Sequence, residues 1–418
     1  MIKSLFYNAV ILFWALCLLP REIYRLIFLK KPLKDFLQRL GISLPAFPWK
    51  KKGEMRIWIH AVSLGETKAI GPLIAEIRKD YPKASLFFSS TTETGHDEAK
   101  RSYKEGAYFF FLPLDLSFVM KRLITRISPD LFILVETDFW WHLLSYAKKN
   151  DVNVVLINGK ISLASLRNYK RAPRFAKELF SLIDLYCVQS EEYFSSFKSL
   201  GVREERIFVT GNVKFDMKEM LSQTLYFKTP HENKKVVTLA STHEEEEAMI
   251  LEVLEGLKGS VSFLIAPRHP SRFPVVAKLL KKKGISFRHI TEEGTGAEDV
   301  VLVDKVGVLD QCYRYSQAVI VGGSFVKHVG GHNIYEPVRF GVPVLYGPYM
   351  HKQEQLVTSL KKHNIGEQVE LSALKGALER LLETPEEQLK YQALRSEMEG
   401  ATERSWSQIK SKILSQPL

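Results

Sequence analysis

The sequence predicts an α/β protein built from two consecutive doubly wound domains that face a cleft, preceded by an apolar, basic N-terminal segment. Three observations carry this. The chain has 418 residues, more than one compact core usually organises. From about residue 53 onward, short apolar runs alternate with longer amphipathic ones, the pattern of a parallel sheet covered by helices on both faces. The alternation lapses over residues 216–234, DMKEMLSQTLYFKTPHENK, and then resumes.

Residues 1–34 read as a membrane anchor, either spanning or lying in the interface. Leu5 to Leu19 is interrupted only by Asn8, and is shorter than the ~20 residues a full span needs. Residues 1–52 hold ten Lys or Arg against two Asp or Glu, so much of the net charge of +12 flanks this greasy segment. Basic residues after the apolar stretch place the rest of the chain in the cytoplasm. Nucleic-acid binding would instead require a basic patch on a folded domain. The apolar content of 45% and charged content of 25% exclude a disordered chain. Leu16 before Cys17 excludes a lipoprotein signal, and no A-x-A-like cleavage site is present. Cys17, Cys187 and Cys312 are too scattered for a metal site or a disulfide framework.

The first domain, residues 35–215, offers strands at 56–60, 85–90, 107–113, 130–135, 153–157, 184–188 and 206–210. After the 216–234 linker, the second domain, residues 235–385, offers strands at 236–240, 262–267, 299–304, 317–323 and 342–347. Residues 386–418 read as a helical segment that crosses back to the first domain. Ligands of such sheets collect at the carboxyl ends of the strands.

Two first-domain strands end on a glutamate. RIWIH runs into HAVSLGET and delivers Glu66, with Ser63 and Gly65 beside it; FILV runs into ETDFWW and delivers Glu136. If the strands are neighbours, both carboxylates face one crevice and can take different roles. Glu66 at a helix start also suits a cap, and the dipole there favours its ionised form. Lys214, in VTGNVKFD at the exit of the last first-domain strand, is a cation suited to a phosphate or carboxylate, or a solvated lysine.

In the second domain APRHP ends a strand at Pro267 and Arg268, and Gly307, Val308 and Leu309 lead into a helix. VGGSFVKHVGGHNIYEP, residues 321–337, has two glycine pairs, including Gly322 and Gly323 before Ser324, and then a helix start at Asn333, Ile334, Tyr335 and Glu336. Glycine pairs let backbone approach a ligand, a helix start supplies N–H donors for a phosphate, and Glu336 can accept from ribose hydroxyls. The stretch fits neither the NAD nor the P-loop fingerprint, and no metal-ligand spacing is present.

On HAVSLGET, LVETDFWW, VTGNVKFD, LASTHEEEE, APRHPSRF and VGGSFVKHVGGHNIYEP together, the chain resembles bacterial 3-deoxy-D-manno-octulosonic acid (Kdo) transferases over nearly its whole length. The resemblance implies a GT-B fold, with two Rossmann-like domains, and a metal-independent, inverting enzyme without a cofactor. Its donor would be CMP-Kdo and its acceptor a lipid A precursor, lipid IVA, at the cytoplasmic face of the inner membrane. It implies Glu66 as general base and Glu136 with Lys214 as transition-state stabilisers. Pro267 and Arg268, Gly307 to Leu309, and Asn333 to Glu336 would hold the nucleotide. Val308 stands where the family usually has an acidic residue, Glu245 where many relatives have glycine, and ETDFWW where ETELWP is usual. An epimerase of the same fold and a tethered binding protein are the competing readings; the former does not need residues 1–34, and the latter does not need Glu66.

Overall fold

The structure is a computed structural model and describes the chain except residues 1, 31, 218–233, 258, 293–297, 385–387 and 415–418. The expected linker therefore lies almost wholly outside the described residues. Residues 1–219 and 398–418 form one compact unit and residues 220–397 the other.

The first unit carries a parallel sheet of β1 (Arg56–His60), β2 (Ser85–Ser90), β3 (Ala107–Phe111), β4 (Leu131–Val135), β5 (Asn153–Gly159), β6 (Leu185–Val188) and β7 (Ile207–Val209), in the order β3-β2-β1-β4-β5-β6-β7. β1 and β4 are buried at every position, as a sheet covered on both faces requires. One face packs Trp58, Phe110, Phe132 and Leu134; the other packs Ile57, Ile59, Ile133 and Val135. The chain leaves β1 towards β2 and leaves β4 towards β5, in opposite directions. A crevice therefore opens at the carboxyl ends of this adjacent pair.

The second unit repeats the plan with β8 (Lys235–Thr242), β9 (Val261–Pro267), β10 (Phe287–His289), β11 (Val300–Leu302), β12 (Ala318–Val321), β13 (Val344–Tyr346) and β14 (Glu367–Gln368), ordered β10-β11-β9-β8-β12-β13-β14. Its switch point lies between β8 and β12. β10 and β14, three and two residues long, are too short to leave a periodic signal in sequence.

The C-terminal segment divides later than residue 386. Helix Gln388–Met398 buries Tyr391 and Leu394, and Arg395 Nη1 donates to Arg339 O at 3.4 Å within the second unit. Helix Ala401–Ile409 belongs to the first unit, where Ala401, Trp406 and Ile409 join the core. Asp216 caps it, accepting from Gly400 N at 2.6 Å and from Thr402 N at 2.5 Å.

Helix Ile2–Phe28 lies along the first unit. Ile11 enters the core, and Asn8 exchanges bonds with Ser117, 2.9 Å to its hydroxyl and 3.0 Å from its N–H. Its other face exposes Phe6, Phe13, Leu16, Ile27 and Phe28. Among the described residues no helix, this one included, is long and apolar enough to cross a membrane. Tyr7 holds the helix down by donating to Asp115 Oδ2 at 2.9 Å. Asp115 also accepts from His142 N and Leu143 N, at 2.9 and 2.8 Å, and so caps helix Trp141–Lys149. Burial pushes its carboxyl up to about 6 against those bonds. Tyr7→Phe is expected to destabilise the first unit by about 1 kcal/mol and to speed amide exchange selectively in residues 4–14; hydrogen exchange read by mass spectrometry checks both.

Candidate active site

Glu66 lies in the first turn of helix Leu64–Ala69, directly after β1. Ser63 is the N-cap: its Oγ accepts from Glu66 N at 3.4 Å and donates to Glu66 Oε1 at 3.1 Å. Glu66 Oε2 reaches back to Val62 N at 2.7 Å, so the carboxylate is a reciprocal cap as the local pattern predicts. The expected lowering of its proton affinity by the helix start does not hold. Glu66 is only 8% exposed, and burial raises its pKa; the Val62 N–H bond pulls the other way, and the negative charge of Glu136 adds to the rise. A buried carboxylate above the usual range is a better base at neutral pH than a solvated one. Gly65 makes no special demand, since a Cβ there would meet nothing nearer than Ser63 Oγ at 4.0 Å.

Glu136 sits on the neighbouring strand end, 3% exposed, with a left-handed φ of 64°. Its Oε1 pairs with Lys214 Nζ at 2.5 Å and accepts from Asn158 Nδ2 at 3.2 Å, and its Oε2 pairs with Lys160 Nζ. Burial raises its pKa, but Lys214 and then Lys160 outweigh this and hold it below the ordinary value. The two glutamates therefore have opposite shifts, Glu66 up and Glu136 down, which separates a proton acceptor from a fixed anion. Asn158 Oδ1 also accepts from Val213 N at 3.1 Å, and Asn212 caps the turn with a 3.0 Å bond from Lys214 N. Lys214 is thus carried on a braced loop.

Lys160 and Asn158 escape the sequence reading, although NVVLINGK is a strand exit of the same kind as the others. His60 and Asp138 also lie here: His60 Nε2 is 3.0 Å from Asp138 Oδ2, and Nδ1 is 2.8 Å from Ser89 Oγ. Asp138 is half-buried, and desolvation raises its pKa, yet the His60 bond brings it below the ordinary value.

In the second unit the loops after β8 and β12 are tied by Glu246. This fully buried carboxylate accepts from His243 N at 2.9 Å, Gly323 N at 2.7 Å and Phe325 N at 2.9 Å. At Gly322 a Cβ would sit 2.7 Å from Thr242 Cα, and Gly323 has φ 67° with Val329 and His332 against it. These glycines are needed for close packing of the two loops. Ser324 Oγ is structural too, donating to Val321 O at 2.6 Å and accepting from Gly347 N at 2.7 Å. Glu245, where glycine is usual in the resembling family, has φ 73°, a region that strains an L side chain. Glu245→Gly is expected to stabilise the second unit by about 1 kcal/mol, seen as a rise in the midpoint of its denaturant unfolding.

Pro267 closes β9, and Arg268 N donates to Thr242 O at 3.0 Å, leaving the guanidinium exposed. Val308 is buried in a small core with Cys312 and Ile290, so its side chain faces away from solvent and an acidic residue there would have a different environment. Gly307 precedes it, and Leu309 opens helix Leu309–Tyr315. The expected helix start at Asn333 is corrected: the helix is only Tyr335–Arg339, five residues, too short to carry an appreciable dipole. Asn333 instead caps locally, its Oδ1 accepting from Tyr335 N at 2.9 Å. Ile334 and Tyr335 are core residues, 0% and 1% exposed, and could meet a ligand only through backbone. Glu336 accepts from Tyr313 Oη and Asn333 Nδ2, both at 3.4 Å. Burial pushes it up to about 7, with Asp310 adding and Arg268 opposing. Near neutrality it is therefore able both to donate to and to accept from a hydroxyl pair.

Comparison with known proteins bears directly on this arrangement. Residues 34–217 match the family described as 3-Deoxy-D-manno-octulosonic-acid transferase (kdotransferase). A 3-deoxy-D-manno-octulosonic acid transferase of Chlamydophila psittaci is 32% identical over 99% of this chain and 97% of its own. One of Haemophilus influenzae is 33% identical over 78% of each. Among solved structures, UDP-GlcNAc 2-epimerase of Neisseria meningitidis superposes with a TM-score of 0.60 at 16% identity, over 87% of this chain and 100% of that one. That likeness concerns the fold, two parallel sheets of the GT-B type, and not the reaction. The sequence relatives show what the fold alone does not, and the chain belongs to the 3-deoxy-D-manno-octulosonic acid transferase family.

Proposed function

We propose that this Kdo transferase moves Kdo from CMP-Kdo to a lipid A precursor, lipid IVA, with inversion at the anomeric centre and without metal or cofactor. The observation that carries the reading is the pair of glutamates at one sheet switch point, one with its proton affinity raised and one held ionised between two lysines. Glu66 takes the proton of the acceptor sugar hydroxyl as that oxygen bonds to the anomeric carbon. The bond to the CMP phosphate breaks, and CMP leaves with the electron pair. Glu136 fixes Lys214, whose ammonium group answers the negative charge of the reacting groups, while Lys160 braces Glu136 from its other oxygen. In the second unit the loops tied by Glu246 hold the frame, with Arg268 for the phosphate and Glu336 for ribose hydroxyls. The donor supplies its own activated bond, so no further group is required.

The exposed apolar face of helix Ile2–Phe28 supports attachment in the plane of the inner membrane, with both units on the cytoplasmic side. Incubation of the purified full chain with CMP-Kdo and lipid IVA tests the reading. Mass spectrometry should show a Kdo-bearing glycolipid, and NMR should show an anomeric configuration opposite to the donor's. Absence of a glycolipid product, or a retained configuration, would overturn it.

A further inference from the structure

The stretch ISLPAFPW, residues 42–49, has no part in the chemistry above, yet it is apolar and partly exposed. Pro45 and Pro48 stiffen it, Phe47 anchors it in the core, and Ile42 and Trp49 stand 65% and 70% exposed. It faces helix Ser117–Ile127, and the two enclose a largely apolar cavity of about 600 Å³ lined by Leu44, Phe47, Trp49, Phe118, Arg122 and Arg126 among others. Phe118 is 66% exposed at its mouth. The Arg126 guanidinium lies over the Trp49 ring, 4.0 Å from its centroid, and Lys121 and Arg122 complete a cationic rim.

A soluble surface rarely leaves a Trp and a Phe together at such exposure around an open apolar slot. An indole held by a guanidinium, beside an apolar hollow and cations, matches the acyl–headgroup boundary of a bilayer. The slot also begins beside the point where the N-terminal helix is fastened. Ser117, next to Phe118, is the residue that Asn8 of the N-terminal helix holds through two hydrogen bonds.

We infer that the slot between residues 42–49 and helix Ser117–Ile127 is a second bilayer contact, which takes an acyl chain of an anionic phospholipid while Lys121, Arg122 and Arg126 meet its phosphate. This rests on the membrane location proposed above and adds a site that residues 2–28 do not contain. Anionic lipid is chosen over a neutral one by charge complementarity: three cations line the slot, and no acidic residue does.

The test uses the full chain and vesicles of phosphatidylcholine with or without phosphatidylglycerol. Arg122→Gln with Arg126→Gln should weaken partitioning onto the anionic vesicles roughly tenfold or more and leave partitioning onto neutral ones nearly unchanged. Phosphatidylglycerol brominated on its acyl chains should quench a fluorescence component that Trp49→Phe removes. Circular dichroism and transfer to acceptor in detergent micelles verify that the variants fold and work, so failure of this inference is separate from failure of the proposed reaction. Unchanged anionic partitioning in the double variant, or a Trp49 component that bromolipid leaves unquenched, overturns it. Equal weakening on both vesicle types also overturns it, because that outcome means simple loss of apolar contact, and rescue by lipid IVA in place of phosphatidylglycerol would give the slot to the acceptor instead.

Discussion

Replacing Glu66 by glutamine is expected to lower kcat for Kdo transfer by about 10²–10⁴-fold with little change in the donor KM. The side-chain amide oxygen can still accept from Val62 N, so the turn that positions residues 62–66 is kept; only the capacity to take a proton is lost. The pH dependence separates this from a structural effect. Burial raises the Glu66 pKa, and the base acts only when ionised. In the wild type kcat/KM should therefore fall as pH drops through a pKa raised from the ordinary value of a glutamate, and in Glu66→Gln that acidic limb should vanish. A carboxyl with raised proton affinity contributes stability at low pH that is lost as pH rises through its folded-state pKa. At neutral pH the neutral amide removes that penalty while weakening a cap, and the net change should stay within about 1 kcal/mol. A variant that keeps its melting temperature, loses transfer and retains the acidic limb would refute the base role.

How far the site was legible depends on the kind of signal each part leaves. Glu66 and Glu136 are readable because each comes after a five-residue apolar strand, and the adjacency of those strands is the one fact that the sequence leaves conditional. Lys160 obeys the same strand-exit logic but follows a seven-residue strand whose last residue is glycine, so it reads as part of a turn. The left-handed backbone of Glu136, Asp138 and Asn158, with φ of 64°, 86° and 56°, leaves no mark in composition, since none of the three is glycine. Yet these conformations turn the side chains of Glu136 and Asn158 towards each other. His60 reads only as a strand terminus, because its partners Ser89 and Asp138 come from other elements. Conversely, VGGSFVKHVGGHNIYEP overstates its helix: the glycines and Asn333 mimic a helix entry, while the turn at Phe340 and Gly341 ends it after five residues.

Glu136→Gln should be the second most damaging change, lowering kcat by about 10²-fold or more and stability by about 2 kcal/mol. The stability figure is set below that for a fully buried pair because both lysines are 37% exposed and are partly screened. Glu136 has a lowered pKa despite its burial, so its ion pairs contribute stability above the ordinary carboxylate range that is lost as pH falls through the folded-state value. The wild type should thus lose stability on acidification in a range where Glu136→Gln, having no such group, loses less. The lysines test whether the triad acts as one unit. Lys214→Met and Lys160→Met should each raise the Glu136 pKa and shift this acid range upwards. If Lys214 acts on the reacting groups and Lys160 only braces Glu136, Lys214→Met should lower kcat far more at equal loss of stability. Double-mutant cycles with Glu136→Gln should then show coupling in unfolding free energy for both lysines. Strong coupling in kcat should be confined to Lys214, because a lysine already misplaced by loss of Glu136 has little left to lose. Equal kinetic effects of the two lysine variants would contradict that division and make both ammonium groups direct participants.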